Sequence, residues 1–258
     1  MKKLVLTMLC LLPLVAVAQT AEEKGLEIAV EADKRDMGFG DVTSSLTMTL
    51  KNANGDTSIR KMRSKTLEVQ GDGDKGLTIF DKPADVKGTA FLSFTHVLEA
   101  DDQWLYLPAL KRVKRISSKN KSGPFMGSEF AFEDLSSREV EKYKYLYLKD
   151  ETVGAEDAFV IEVRPNYKYS GYTRSVVWIS KATYQPLKIN YFDRKNSLLK
   201  TMMATGYKQY LDKYWRPDQM KMVNHQTKKE TLLEFSDYKF QTGLKPRDFS
   251  KASLKRAR

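Results

Sequence analysis

The chain has 258 residues, a formal net charge of +11, 41% hydrophobic residues, one cysteine and two histidines. This length suits one domain with a sizeable core, and the single cysteine excludes a scaffold held by internal disulfide bonds. His96 and His225 lie far apart in the sequence, which argues against a zinc or copper site.

The first residues are typical of a cleavable export signal. Residues 1–18 contain two lysines, an apolar run over 4–15 that is too short for an ordinary membrane span, and Ala-Val-Ala at 16–18. We expect cleavage there and a single mature domain over residues 19–258 in the periplasm. Cys10 falls inside the signal, so the mature domain is expected to have no thiol and no lipid anchor.

One helix and a long series of strands are predicted in chain order. Residues 21–37 have helical periodicity, with Glu22 and Glu23 at the positive end and Gly38 as a stop signal. From Leu46 the apolar period becomes two, and a turn at 52–55 follows the first strand. The same alternation recurs at 90–94, 159–163, 176–178, 187–191, 201–205 and 231–235.

About twelve strands with short connections predict an antiparallel meander rather than parallel β-α-β units. A meander of this length must curl, so it either closes into a barrel or stays open as a half-barrel with a helix in its mouth. We expect a mainly β (α+β) fold with a curved antiparallel sheet, an incomplete β-barrel lidded by a few helices. Short helices are predicted within 124–141, the second from Ser136, and a terminal helix over 245–255 begins at Pro246.

Some predicted strands are apolar on both faces. One face of a single-layer sheet normally meets water, so helices or a ligand must cover the second face of these strands. Ordinary core packing remains the simpler interpretation for any one residue, while methionines give surfaces that adapt to flexible apolar guests. The segments concerned are 103–108, 176–179 and 198–204.

The sequence contains no specific catalytic, cofactor or metal motif. Residues 71–76 resemble a calcium or phosphate loop, but Pro83 stands where an EF-hand needs glutamate, so a polar hairpin turn is favoured. Glu129, Glu133 and Asp134 could form an acid–base pair, although the solvated face of a short helix is the simpler interpretation. We expect no enzymatic activity, catalytic residue, cofactor or metal.

A basic run leads into an aromatic segment. Residues 107–121 carry six positive charges and no acid. Lysines of this kind protect exposed strand edges from pairing, and they also suit docking to an anionic head group, membrane surface or acidic partner. Both interpretations remain open. The docking candidates are Lys111, Arg112, Lys114 and Arg115.

A family resemblance is strongest at residues 104–135, WLYLPALKRVKRISSKNKSGPFMGSEFAFEDL. The Trp-x-Tyr-x-Pro strand, the Lys-Arg-x-Lys-Arg-Ile run, and Phe-Met-Gly-Ser followed by Glu-Asp-Leu closely resemble the exported outer-membrane lipoprotein-sorting protein family, relatives of the LolA and LolB carriers. Over 22–256 the helix-first order and strand-rich body agree more loosely. The resemblance implies an incomplete barrel around an apolar cavity, which in the LolA type receives lipoprotein acyl chains.

These observations predict a periplasmic carrier that transfers lipoprotein acyl chains or other lipids between membrane-bound partners. An inner-membrane transporter or exporter and, transiently, an anionic membrane surface are the expected partners, and nucleic acid is not. A LolA-like shuttle fits better than a LolB-like anchored receptor, because no lipidation cysteine is seen. The alternatives are a non-enzymatic accessory subunit of a large membrane exporter and an enzyme acting on envelope lipids or glycans. The candidates for the cavity or its mouth are Trp104, Tyr106, Leu107, Phe125, Met126, Phe130 and Trp178.

The docking interpretation of the basic run can be tested by charge reversal. Changing Lys114→Glu and Arg115→Glu together should weaken binding to anionic vesicles, because each cation near the surface contributes about 1 kcal/mol of attraction. Circular dichroism should show an unchanged fold, and vesicle co-sedimentation measures the binding. Equal binding of both proteins at low salt would reduce the run to a solvated strand edge.

Overall fold

Strands dominate the computed structural model, which describes residues 19–256. The predicted signal peptide lies outside the described residues. Helix α1 (Ala21–Asp36) comes first and helix α2 (Lys251–Arg256) last, and neither is long and apolar enough to cross a bilayer. The strands in this part of the chain are β1 (Asp41–Lys51), β2 (Thr57–Leu67), β3 (Lys75–Lys82), β4 (Ala90–Phe94), β5 (Asp102–Leu107), β6 (Arg112–Ile116), β7 (Tyr143–Val153), β8 (Glu156–Pro165), β9 (Arg174–Ser180), β10 (Pro186–Phe192), β11 (Leu198–Thr205), β12 (Lys208–Tyr210), β13 (Tyr214–Arg216), β14 (Gln219–Asn224) and β15 (Glu230–Phe240).

Thirteen of these strands form one antiparallel sheet, in the order β6-β5-β4-β3-β2-β1-β15-β14-β11-β10-β9-β8-β7. Two meanders meet where β1 pairs with β15, and β12 and β13 form a separate hairpin. The sheet is curved and does not close, because β6 and β7 are its two edges and do not pair with each other. The predicted incomplete barrel is confirmed.

Alternation along the strands assigns side chains to the two faces of the sheet. In the β1–β15 pair, Met48 lies opposite Leu233, and both are almost completely buried. Met62 on β2 and Met222 on β14 belong to the same concave core. Successive side chains of a strand point to opposite faces of the sheet. The buried side chains of Met48, Met62, Met222 and Leu233 therefore show which face of the central strands is concave.

Helix α1 begins with a capping box. The Glu23 backbone N–H donates to Thr20 Oγ1 at 3.1 Å, and the Thr20 N–H donates to the Glu23 carboxylate at 2.8 Å, so two unpaired donors of the first turn are satisfied. The helix buries Gly25, Ile28 and Ala29. It packs on β7, which places it beside one end of the concave face.

The predicted short helices over 124–141 differ from the structure. That segment forms three 3₁₀ turns, at Phe125–Gly127, Phe132–Leu135 and Val140–Lys142. Its backbone bonds to neighbouring parts of the fold: Gln103 Nε2 donates to the Phe132 carbonyl at 3.0 Å. These tertiary contacts compete with helical hydrogen bonds, so an α-helix does not form.

The terminal helix is also shorter than predicted. A 3₁₀ turn occupies Pro246–Asp248, and α2 starts anew after Ser250, whose Oγ accepts the Ser253 N–H at 3.1 Å. Between the two turns Phe249 is buried, and with Leu254 it packs against the convex face of the sheet. The C-terminal segment thus covers one of the two-sided apolar regions.

The contact between α1 and β7 leaves no room for a side chain at Gly25. A Cβ there would lie 2.8 Å from the Tyr147 backbone nitrogen and 2.9 Å from Leu146 backbone atoms, which cannot rotate away. Gly25→Ala should therefore destabilise the protein by about 1–3 kcal/mol and lower the melting temperature by about 2–4 °C for each kcal/mol.

Gly76→Ala is the matched control, since a Cβ at that strand position meets nothing within 4 Å. Thermal unfolding followed by circular dichroism compares the two variants. Equal melting temperatures would contradict the close packing of α1 on β7.

Candidate functional site

The concave face of the sheet is only partly filled. Beneath α1 and the inner face of β7–β11 lies an open cavity of about 1080 Å³. Its deep wall is built by inward-facing strand side chains, which are Ile161, Val163, Val177, Ile179, Ile189 and Met202. A wall of this composition offers no charge to a guest and favours hydrocarbon.

The other half of the concavity is filled by the connecting segment, residues 117–142, which joins the two edge strands β6 and β7. Phe125 is the centre of its aromatic cluster, with ring centroids 5.8 Å from Phe80, 5.2 Å from Phe91 and 5.5 Å from Phe132. Edge-to-face and tilted contacts of this kind stabilise a core beyond its buried area. The cavity therefore ends where the connecting segment begins.

A buried ion pair ties the connecting segment to the sheet. Lys200 Nζ on β11 donates to Asp134 Oδ2 at 2.7 Å and to the Glu129 carbonyl at 2.8 Å, and both charged side chains are only 4% exposed. Asn224 Nδ2 on β14 donates to the Glu129 carboxylate at 2.6 Å. Because a buried charge without a partner is costly, these contacts hold the segment in one position.

Tyrosines line the part of the cavity next to the connecting segment. The Arg138 guanidinium lies over the Tyr143 ring, 5.6 Å from its centroid, and Tyr191 packs on Tyr172 at 4.8 Å. Burial raises the pKa of Tyr143 and Tyr191, so their hydroxyl groups remain neutral hydrogen-bond donors at physiological pH. This end of the cavity is polar, whereas the strand wall is not.

Carboxylates surround the mouth of the cavity. They come from α1, from the β2–β3 loop and from the connecting segment, and they are Asp33, Asp36, Glu68, Asp72, Asp74, Glu139 and Glu141. Burial, with repulsion from neighbouring carboxylates, raises the pKa of Asp74 to about 6 and that of Glu139 to about 7. The mouth is acidic, and part of its charge titrates near neutral pH.

Four of the seven side chains predicted for the cavity or its mouth face the concave side. Phe130 lies on the cavity wall. Leu107, Phe125 and Met126 pack in the filled half of the same core and do not line the cavity. The aromatic density of this segment in the sequence thus reflects how it fills the sheet.

The other three predicted side chains differ in placement, because they face the convex side. Trp104 and Tyr106 pack in the cluster with Leu254 of α2, and Trp178 packs beside Val160 in a second convex cluster. Their strands are apolar on both faces. The sequence therefore does not show which of the two alternating sets of side chains points to the concave face.

The four docking candidates lie on the β5–β6 hairpin and the edge strand β6, and none lines the cavity. Lys111 occupies the turn with a φ of 49°, and it is exposed, as are Arg112 and Lys114. Arg115 pairs with Asp102 on β5. Carboxylates outnumber cations among the residues that line the cavity.

Arg138 and the cavity tyrosines were not predicted from the sequence as cavity residues. The alternation of Tyr143 and Tyr145 at the start of β7 was a signal for them, since it places both rings on one face. The prediction of a solvated helix face for Glu129, Glu133 and Asp134 was wrong. Glu133, for example, accepts the Gly171 N–H at 2.8 Å, and burial raises its pKa.

Comparison with solved structures identifies the family. An outer membrane lipoprotein-sorting protein domain from Vibrio parahaemolyticus is 63% identical, with a TM-score of 0.89 over 91% of this chain and 99% of that one. The chain belongs to the outer-membrane lipoprotein-sorting protein family. The motif at 104–135 led to the same family.

More distant members of the comparison agree in fold. A DUF1329 family protein from Desulfovibrio piger is 28% identical, with a TM-score of 0.87 over 92% of this chain and all of that one. A LolA superfamily protein from Nitrosomonas europaea has a TM-score of 0.71 at 20% identity, over 92% of this chain and all of that one, and shares the fold. A family model described as "uncharacterized protein" matches residues 72–256, and no curated protein matches.

Within residues 19–256 of this family member, no group of His, Cys, Asp or Glu side chains is arranged to hold a metal ion.

The acidic mouth makes stability depend on pH. The folded-state pKa values of Asp74 and Glu139 lie above their ordinary values of 3.8 and 4.5, so the folded protein binds more protons than the unfolded chain between those limits. Their contribution is favourable below this window and is lost as pH rises through about 6 to about 7.

Neutral replacements of Asp74 and Glu139 should remove this loss of stability at high pH. Asp74→Asn with Glu139→Gln should raise stability at pH 8 by on the order of 1 kcal/mol, about 2–4 °C in melting temperature, and have little effect at pH 4. Asp150→Asn is the control, because a hydrogen bond from Lys181 lowers the pKa of that carboxyl and its neutralisation brings no gain. A double variant that is less stable than the parent at pH 8 would contradict the mutual repulsion.

Proposed function

We propose that this protein is a periplasmic carrier that binds acyl chains of lipoproteins or other lipids in its open cavity and transfers them between membrane-bound partners. The observation that carries the proposal is the cavity of about 1080 Å³, with its apolar strand wall, left open under the curved sheet. A protein that used this face only for its own core would fill it with side chains.

The cavity has the volume that acyl chains need. A methylene group takes about the space of one water molecule, about 30 Å³, so a chain of about sixteen carbons needs about 500 Å³. The cavity holds one such chain with room to spare, or two side by side. Its shape is set by rigid strands, while the mouth lies between α1 and two loops.

Burial of the hydrocarbon supplies the binding energy without a covalent step. Each buried methylene contributes about 0.8 kcal/mol, so a sixteen-carbon chain gains on the order of 12 kcal/mol before the costs of association. Release then requires a movement of the mouth or an acceptor with an equally apolar site. No catalytic group is needed for either step, and we propose that the protein is not an enzyme.

The family supports the same cargo class. The relative from Vibrio parahaemolyticus is a lipoprotein-sorting protein domain by name, and it covers nearly the whole of this chain. With the export signal expected at 1–18, this favours a shuttle between an inner-membrane transporter or exporter and the outer membrane.

The basic run suits the encounter with such partners. Lys111, Arg112 and Lys114 are exposed on the hairpin and edge strand, where they attract an anionic membrane surface or an acidic protein face. Arg115 already pairs with Asp102 and adds less. None of the four cations lines the cavity, so docking through them leaves the lining residues free for the cargo.

Filling the cavity should abolish acyl binding. Ala32 of α1 lines the cavity and is half-buried, so the indole of Ala32→Trp enters the space that a guest needs. We expect the affinity for a fluorescent fatty acyl probe to fall at least about tenfold, equivalent to about 1.4 kcal/mol. Native mass spectrometry of the purified protein should show less copurified lipid.

Leu26→Trp is the control, because Leu26 is 45% exposed on the same helix and does not line the cavity. Both variants should keep the melting temperature of the parent within a few degrees, about 1 kcal/mol. A parent protein that neither copurifies with lipid nor takes up the probe would instead be an accessory subunit of an exporter. Equal probe binding by the two tryptophan variants would place the guest elsewhere.

A further inference from the structure

Arg138 has an unusual position in the cavity. It belongs to the connecting segment, lines the cavity, and is exposed. Among the described residues it has no carboxylate partner and no hydrogen bond, and its contact is the face of the Tyr143 ring. A guanidinium has five N–H donors, so Arg138 has donors available for an anionic guest.

The neighbouring carboxylates do not neutralise this cation. The charged groups that act on the adjacent Glu139 are Asp74, Asp33, Lys142 and Glu141. The groups that act on Arg138 are four phenols, those of Tyr143, Tyr145, Tyr167 and Tyr191. Glu133 and Asp134 also line the cavity, but they already accept hydrogen bonds from the Gly171 N–H and from Lys200.

Arg138 remains charged in this setting. A guanidinium does not lose its proton at physiological pH. Lys200, a buried cation nearby, is already satisfied by Asp134 and the Glu129 carbonyl. Arg138 is thus a permanent positive charge on the cavity lining whose donors are unused.

A second donor lies beside it. Tyr191 forms no hydrogen bond through its hydroxyl with any described residue, and it lines the same cavity as Arg138. Tyr145, by comparison, donates to the Val140 carbonyl at 3.2 Å. A guanidinium and a free hydroxyl together match the oxygens of a carboxylate or a phosphate.

We propose that Arg138, with Tyr191, binds the acid group of the cargo, so that the protein selects an anionic amphiphile whose carboxylate or phosphate sits inside the cavity and whose chain lies on the strand wall. This anion-binding role rests on the proposed carrier function and specifies the class of cargo. An acyl chain joined to a protein through an ester or amide bond has no such charge. The polar end of the cavity therefore discriminates between free acidic lipids and neutral acyl groups.

The test compares ligands with one chain length and different head groups. Palmitic acid, hexadecyl phosphate and neutral hexadecanol are titrated into the mature protein by calorimetry, below their aggregation concentrations. The proposal predicts that at least one acid binds about tenfold or more tightly than the alcohol, equivalent to about 1.4 kcal/mol. The tighter of the two acids identifies the head group as carboxylate or phosphate.

Variants assign the preference to the cation. Arg138→Gln should remove the preference for the acid while leaving the alcohol's affinity unchanged, and Arg138→Lys should retain part of it. Tyr191→Phe should reduce the preference less than Arg138→Gln does. Lys34→Gln is the matched control, because Lys34 is an exposed cation at the mouth of the same cavity and should leave the preference intact.

The outcomes separate this inference from the function on which it rests. Equal binding of acid and alcohol by the parent protein, or an acid preference that survives Arg138→Gln, would overturn the anion subsite and leave the carrier proposal standing. No binding of any of the three ligands would overturn both. The parent comparison needs no substitution, so it remains decisive even if a variant does not fold.

Discussion

A thirteen-stranded sheet with two unpaired edges must cover its concave face, and the segment between those edges covers only half of it. The buried pair of Lys200 and Asp134 fixes where that cover lies. With the segment held on β11 and β14, its phenylalanines fill one end of the concavity and cannot spread over the other. The cavity is therefore open because these polar contacts fix the connecting segment at one end of the concave face. No side chains of the protein are left to cover the apolar wall beneath α1.

Charge is distributed in separate zones around this cavity. Carboxylates surround the mouth, Arg138 lies on the cavity lining, and the exposed cations of the β5–β6 hairpin do not line the cavity. In the proposed function, the acidic mouth repels the head groups of an anionic membrane and the hairpin attracts them, so electrostatics orients docking. In the proposed subsite, an anionic guest that has passed the mouth meets the Arg138 cation on the cavity lining.

The fold could be predicted from the sequence to a large extent, since alternation marks most strands and Glu22 with Glu23 marks the start of α1. The cavity residues could not. Trp104 and Trp178 occupy strands that are apolar on both faces, and only the full register shows that α2 covers one of them from outside. Lys200 lies within an apolar strand and gives no local sign that it meets Asp134, 66 positions away. Such long-range polar pairs depend on the tertiary structure, and the position of Arg138 depends on them in turn.

The central claim is that hydrocarbon occupies the space between α1 and the inner face of β7–β11. A crystal structure of the mature protein with a fatty acid brominated near its chain terminus tests this directly, through the anomalous signal of bromine. We expect a bromine peak among Ile161, Val177 and Met202 on the deep wall. A peak found only on the outer surface, or a cavity closed by the protein's own side chains in the presence of the ligand, would contradict it.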